Sequence, residues 1–235
     1  MSEILLVRHG QASFGKENYD ILSQTGIRQA NLLAGHFLST GLHFDAVYSG
    51  PMERQKDSAR YFVAEYLAKG ASLPEISVLD GFSEYDTKRV ITHYLPRMIK
   101  NDPSLAADLE QMFTSLLSFR KIFETAVIMW VTDPECKGIE SWQDFHTGVR
   151  QSLQQIMDEN GRNKRMIVFT SGGAIAASLQ MALGTGNEQS MRLCWQIVNT
   201  SVTKFKYNER GIALAAFNSY AHLECTGNAG LITYK

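Results

Sequence analysis

Arg8 and His9 follow the apolar run Ile4-Leu5-Leu6-Val7 and precede Gly10, an abrupt change from strand-like residues to two groups that resist burial. The arrangement recurs further on. Phe44-Asp45-Ala46-Val47-Tyr48-Ser49 leads into Gly50-Pro51 and then Arg54, and Met166-Ile167-Val168-Phe169-Thr170 leads into Ser171-Gly172-Gly173. Glycines at such turns let the backbone approach a ligand closely, and the helices that follow offer unpaired N–H groups to an anion. Two arginines at one mouth suit a phosphate, whose oxygens match the guanidinium fork. Glu84, just after a third strand pattern at Ile76 to Leu79, adds a carboxylate to the same rim. In parallel α/β sheets ligands bind beyond the carboxyl ends of the strands, so turns far apart in sequence can meet there.

The surrounding pattern supplies such a sheet. Residues 25 to 39 read as a helix, with Ala30, Leu33, Ala34, Phe37 and Leu38 on one side and Gly41 past its end. Pro51 suits a first helical position, and Ala59, Phe62, Val63, Tyr66 and Leu67 give the next helix its apolar stripe, ended by Gly70. The order is βαβαβ, which predicts a parallel sheet with helices on its faces. From about Ser83 to Gly161 helical patterns take over. One helix is expected to carry Leu105, Leu109, Met112, Leu116 and Phe123, and another Trp142, Phe145, Val149, Leu153 and Ile156. This segment, about residues 83–161, is expected to sit as an insertion over one edge of the sheet. A helix from Ala174 to Leu183 and strands at Val202 to Tyr207 and Ile212 to Phe217 close the chain. The expected fold is α/β, a three-layer sandwich with a mostly parallel central sheet and a helical insertion, in a single domain over residues 1–235.

LVRHG after the first strand, LSQTGIRQA opening the first helix and YSGPMERQKDSA after the second strand together resemble the histidine phosphatase superfamily, which includes the cofactor-dependent phosphoglycerate mutases and many small-molecule phosphatases. The resemblance extends to Glu84, VFTSGGAI, NTSVTKF and FNSYAHL. It implies that His9 attacks phosphorus to give a phosphohistidine, and that Glu84 protonates the leaving oxygen and then activates water. Arg8 and Arg54 would hold the phosphate oxygens and disfavour protonation of His9, with Ser171 and Gly172 also binding phosphate. No metal or organic cofactor is implied. The chain departs from the family pattern at Ser171, which stands where a second pocket histidine is usual. A hydroxyl there brings no positive charge, and losing a charged donor costs about 2–4 kcal/mol at the transition state. His222 is a conceivable substitute. A family asparagine beyond RHG is also missing, with Gly15 in its place and Asn18 nearby.

These residues are compatible with three functions. The first is a phosphomonoester hydrolase acting on a small-molecule phosphate ester or a phosphoprotein. The second is a phospho-ligand or partner-binding member with weakened catalysis, and the third is a phosphoglycerate mutase. Composition bounds them. The chain has 235 residues, 44% hydrophobic and 20% charged, with a net charge of −1 that provides no polybasic face for nucleic acid or anionic membrane. Three widely spaced cysteines, Cys136, Cys194 and Cys225, fit reduced thiols better than a disulfide framework, and no apolar run suits a signal peptide or a membrane span, so a cytoplasmic location is expected. His36, His43, His93 and His146 show no metal-ligand spacing.

Overall fold

The computed structural model describes residues 2–13 and 20–234. Strand β1 (Ser2–Arg8) is followed by helix α1 (Gln24–Ser39), β2 (Ala46–Ser49), α2 (Glu53–Ala68) and β3 (Ile76–Val78). A short 3-10 turn, Asp80–Phe82, leads into four helices: α3 (Thr87–Asn101), α4 (Leu105–Gln111), α5 (Leu116–Thr132) and α6 (Trp142–Asn160). Then come β4 (Arg165–Thr170), α7 (Gly172–Leu183), α8 (Asn187–Cys194), β5 (Val202–Asn208), β6 (Gly211–Ser219) and α9 (Ala221–Glu224). Among the described residues the strands form one sheet in the order β3-β2-β4-β1-β5-β6. The first four are mutually parallel, while β5 runs antiparallel to β1 and β6 antiparallel to β5. The α/β fold with a mostly parallel sheet is as expected.

Alternation along the central strands explains the layers. Ile4 and Leu6 of β1 face the same side as Met166 and Val168 of β4, while Leu5 and Val7 join Ile167 and Phe169 on the other. One face is covered by α1 and α2 through Leu33, Phe37, Phe62 and Tyr66. The opposite face is covered by α7 together with helices of the 83–161 segment, through Tyr94, Trp130, Phe145, Val149 and Ile156. The segment lies beside α7, its helix α6 meeting Tyr48 of β2 through Glu159 and Asn160, next to the edge strand β3. The strand–helix alternation supplies that face of the sheet with only α7, and the central strands are apolar on both sides and need more cover.

Two local expectations are corrected. The helix expected across Leu105 to Phe123 is two helices. Ser115 adopts an extended conformation, and its hydroxyl accepts from the Ser118 N–H to start α5 afresh, leaving Leu116 62% exposed. Pro51 does not begin α2, which starts at Glu53. The Glu53 N–H is taken by Asp20 Oδ2 at 2.9 Å and the Met52 N–H by Gln55 Oε1 at 3.1 Å, so side chains define the start.

Gly10 and Gly26 bring α1 against the turn after β1. A Cβ on Gly26 would lie 2.3 Å from the Gln11 carbonyl oxygen, and one on Gly10 2.5 Å from that of Gly26. Gly35, on the same helix, would meet nothing within 4 Å. Gly26→Ala should therefore destabilise by about 1–3 kcal/mol, whereas Gly35→Ala should stabilise by up to about 1 kcal/mol. Urea denaturation of the two variants checks both signs.

Candidate active site

The carboxyl ends of β1, β2 and β4 lie side by side, because β4 pairs with both β1 and β2: Arg8 is level with Thr170, and Ser49 with Phe169. That register brings Arg8, His9, Arg54, Ser171 and Gly172 to one end of the sheet. His9 is buried, and its backbone is held from three directions. Its N–H donates to the Thr170 carbonyl at 2.8 Å, its carbonyl accepts from Asn199 Nδ2 at 3.0 Å, and the next N–H, of Gly10, donates to Ser58 Oγ at 2.9 Å. The ring is polarised along one axis. Nδ1 lies 2.8 Å from the Gly10 carbonyl oxygen, and Arg54 Nε donates to Nε2 at 3.1 Å. A carbonyl oxygen can only accept and the Arg54 N–H can only donate, so the proton sits on Nδ1 and the lone pair on Nε2. Burial, then Arg54, then Arg8 hold the His9 pKa well below its ordinary 6.5, and the ring is neutral near pH 7.

Arg54 is buried and oriented by its ion pair with Asp20, with Nη1 2.7 Å from Oδ1. The same carboxylate accepts the first N–H of α2, so Asp20 fixes both the helix start and the guanidinium in its first turn. Arg8 turns toward the carboxyl-terminal stretch, its Nη1 donating to the Ile197 carbonyl and its Nη2 to that of Tyr234 at 2.9 Å. Its charge still acts on the site, depressing the pKa of His9 and opposing the rise at Glu84.

Glu84 meets the amino end of α7. The Gly173 N–H donates to its two carboxylate oxygens at 3.1 and 3.2 Å, and the Tyr85 N–H to Oε1 at 3.2 Å. Gly173 has no room for a side chain, since a Cβ would lie 2.2 Å from Oε1. Burial raises the Glu84 pKa above its usual 4.5, although Arg54, the Gly173 N–H and Arg8 pull the other way. A carboxyl with a raised pKa, at one end of the sheet with a neutral imidazole and a guanidinium, has the elements of acid–base and nucleophilic chemistry.

Ser171 has no exposed surface, and its hydroxyl makes no cap on α7. Instead Gln55 Nε2 donates to Oγ at 2.7 Å. The hydroxyl expected to contact phosphate is thus buried and accepts from Gln55. Gly172 borders Glu84 and Cys194: a Cβ there would lie 4.0 Å from Glu84 Oε2 and 2.9 Å from Cys194 Sγ. His222 lies away from this site. Its Nε2 lies 2.9 Å from Thr200 Oγ1 and its ring 6.3 Å from that of His36, in a cleft of about 850 Å³ lined by α1, α2 and α9. Gly15 and Asn18 lie outside the described residues. Among the described residues no group of three or more His, Cys, Asp or Glu side chains could hold a metal ion, and no helix is long and apolar enough to cross a membrane.

A family model for the histidine phosphatase superfamily, branch 1, matches residues 4–104 and 106–220. The chain belongs to this superfamily. Among solved structures, this histidine phosphatase is similar to a histidine-to-alanine variant of a phosphoserine phosphatase from Entamoeba histolytica in complex with phosphoserine (19% identity, TM-score 0.65, covering 95% of this chain and 100% of that one). It is also similar to a phosphoglycerate mutase from Bacillus anthracis (15% identity, TM-score 0.63, 97% of each chain) and to an alpha-ribazole phosphatase from Shigella flexneri (16% identity, TM-score 0.60, 93% and 96%). At these identities the likeness is one of fold. No curated protein matches the sequence significantly.

Asp20, Gln55, Gly173 and Asn199 also hold this candidate site together, and none of them is singled out by itself in the sequence. Gln55 directly follows Arg54, and Gly173 directly follows Gly172; adjacency was the available signal. Asp20 and Asn199 carry none, being ordinary polar residues whose partners are set only by the fold. Thr200 beside Asn199 is in the left-handed region at φ 58°, which costs a β-branched residue about 1–3 kcal/mol. Its N–H holds the Arg8 carbonyl at 2.9 Å.

Burial pushes the His222 pKa down to about 3, with His36 adding to the effect. The unfolded chain takes up that proton near pH 6.5, so folding stability attributable to this group is complete above pH 6.5 and is lost as the pH falls toward 3, at up to about 1.4 kcal/mol per pH unit. His222→Gln should lower Tm at pH 7 yet flatten the decline in Tm between pH 6 and 4, as read by thermal melts across that range.

Proposed function

We propose that this protein is a phosphomonoester hydrolase that works through a phosphohistidine at His9. The observation that supports this reading is the polarised imidazole, its lone pair on a buried Nε2 beside Arg54, at the same end of the sheet as Glu84, whose pKa burial raises. In the resting site Arg54 Nε donates to that lone pair. An entering phosphoryl group offers the guanidinium better acceptors in its charged oxygens, which would free Nε2 to attack. The Nε2–P bond forms as the ester P–O bond breaks, and the leaving oxygen takes the Glu84 proton. Glu84, now a carboxylate, removes a proton from water, whose oxygen attacks phosphorus. The P–N bond then breaks, giving inorganic phosphate, neutral His9 and the residual proton back on Glu84.

Arg8 and Arg54 would balance charge on the equatorial oxygens, with the Gly172 end of α7 closing the cradle and Ser171 behind it. Small phosphate esters, or phosphoprotein side chains, are the substrates this arrangement fits. The phosphoserine phosphatase and alpha-ribazole phosphatase among similar folds support hydrolysis. Three free cysteines support a reducing, cytoplasmic setting.

The reading predicts turnover of p-nitrophenyl phosphate and its complete loss in His9→Ala, with labelled phosphate trapped on the wild-type protein only. A protein inert across a broad panel of phosphate esters would instead match the second reading, a phospho-ligand-binding member, which the uncharged Ser171 favours. Phosphate would then still raise Tm.

Activity needs His9 unprotonated and Glu84 protonated. With His9 depressed and Glu84 raised, kcat/KM for an alkyl phosphate should hold down to pH 6 and below, and should decline as the pH rises through the Glu84 value. Glu84→Gln should lower the alkyl phosphate rate by about 10²- to 10⁴-fold, and a full pH–rate profile checks both statements.

A further inference from the structure

Gln55 sits in the first turn of α2 with no exposed surface. A buried amide is costly unless its hydrogen-bonding positions are filled, and those of Gln55 are. Its Oε1 accepts from the Met52 N–H at 3.1 Å, and its Nε2 donates to the Phe82 carbonyl at 2.9 Å and to Ser171 Oγ at 2.7 Å. The two Nε2 contacts reach different parts of the site. Phe82 is two residues before Glu84, and its carbonyl also accepts from Thr170 Oγ1 at 2.7 Å. Ser171 immediately precedes α7, whose Gly173 N–H grips the Glu84 carboxylate. One side chain thus joins the helix carrying Arg54, the turn carrying Glu84 and the helix end that holds it. Gly50 leaves the space this requires, since a Cβ there would lie 2.1 Å from Gln55 Oε1.

We propose that Gln55 is the positioning residue of the acid–base step, its amide bridging the Phe82 carbonyl and the Ser171 hydroxyl so that the Glu84 carboxyl is held at the amino end of α7. The proposal rests on the phosphohistidine reading above and assigns Ser171 the other half of the tie. Gln55 has no exposed surface with which to meet substrate, so it acts only through Glu84. Its influence must then follow the need for a proton. An alkyl leaving group departs only when protonated, whereas p-nitrophenolate, a weak base, departs unaided.

The test compares β-glycerophosphate with p-nitrophenyl phosphate. Gln55→Met keeps most of the volume and removes all three hydrogen bonds; Ser171→Ala opens the same tie from its other end, with a smaller perturbation if Gln55→Met folds poorly. Both variants should lower kcat for β-glycerophosphate by about 10- to 100-fold, a part of the full general-acid contribution. Both should change the burst rate of p-nitrophenolate release, which reports phosphohistidine formation before the shared water step, by less than about threefold. In a Glu84→Gln background, Gln55→Met should have no further effect on either substrate, because the group it positions is already disabled. Equal losses on both substrates, no loss on either, or a full additional loss in the Glu84→Gln background would overturn the positioning role while leaving the hydrolase reading intact. A wild-type protein inactive on both substrates would overturn the two together.

Discussion

A guanidinium and an imidazole in hydrogen-bond contact away from water can coexist only if the imidazole carries no charge. That constraint governs the site. Arg54 Nε lies 3.1 Å from His9 Nε2, and Arg8, next in the chain to His9, adds a second positive charge. Protonating His9 would place like charges together in a poorly solvated space, so the ring stays neutral with its lone pair directed at Arg54. The Gly10 carbonyl completes the arrangement by fixing the other proton on Nδ1. The contact therefore defines the tautomer and leaves the lone pair on Nε2; on the proposed reading it also sets the direction of attack. Asp20 enters the same balance, since without its carboxylate the Arg54 side chain would lack the 2.7 Å ion pair that aims it.

The sheet exists, for this purpose, to hold these charges in register. β1 pairs with β4 and β4 with β2, so the ends of three strands, one of them more than a hundred residues from the other two, are level to within one peptide. Their apolar middles, buried on both faces, leave little freedom for slippage, because a one-residue shift would turn every side chain to the opposite layer. Fine adjustment then falls to side chains that cross between turns: Ser58 to Gly10, Asn199 to the His9 carbonyl, Gln55 to Phe82 and Ser171. These are neutral groups. They can be buried with full hydrogen bonding at little net cost, where charged struts would disturb the pKa values on which the site depends.

The pattern of legibility in the sequence reflects the same division. Arg8 and His9 drew notice because charged or titratable residues at the end of an apolar strand run have few explanations other than a ligand, and Arg54 and Glu84 because each follows a strand within a few residues. The parallel sheet was readable from the βαβ alternation, and α6 from its unbroken apolar stripe. The start of α5 was not, since Leu116 continues the stripe of Leu105, Leu109 and Met112, and only the local capping by Ser115 breaks the helix. Covering of a sheet face by the 83–161 segment depends on which layer still lacks partners, a property of the whole fold. Ser171 was read as a ligand contact from its place after β4, but the direction of its hydroxyl depends on Gln55, 116 residues away.

The charge inventory of the site also bears on the fate of the phosphoryl group once it has been transferred. The Arg54 guanidinium is already paired with Asp20 at 2.7 Å, that of Arg8 donates to the Ile197 and Tyr234 carbonyls, and burial raises the Glu84 pKa above its usual 4.5. The position after β4, where an imidazolium would add a third cation, holds an uncharged and recessed hydroxyl. On the proposed reading, an inorganic phosphate formed here is opposed by a modest positive field and leaves readily. A mutase has the opposite requirement, since it must retain a doubly phosphorylated intermediate while the intermediate reorients. The weak field thus favours water as the acceptor, and it places the discrimination between hydrolysis and transfer in the charge of the cradle, with the fold common to both.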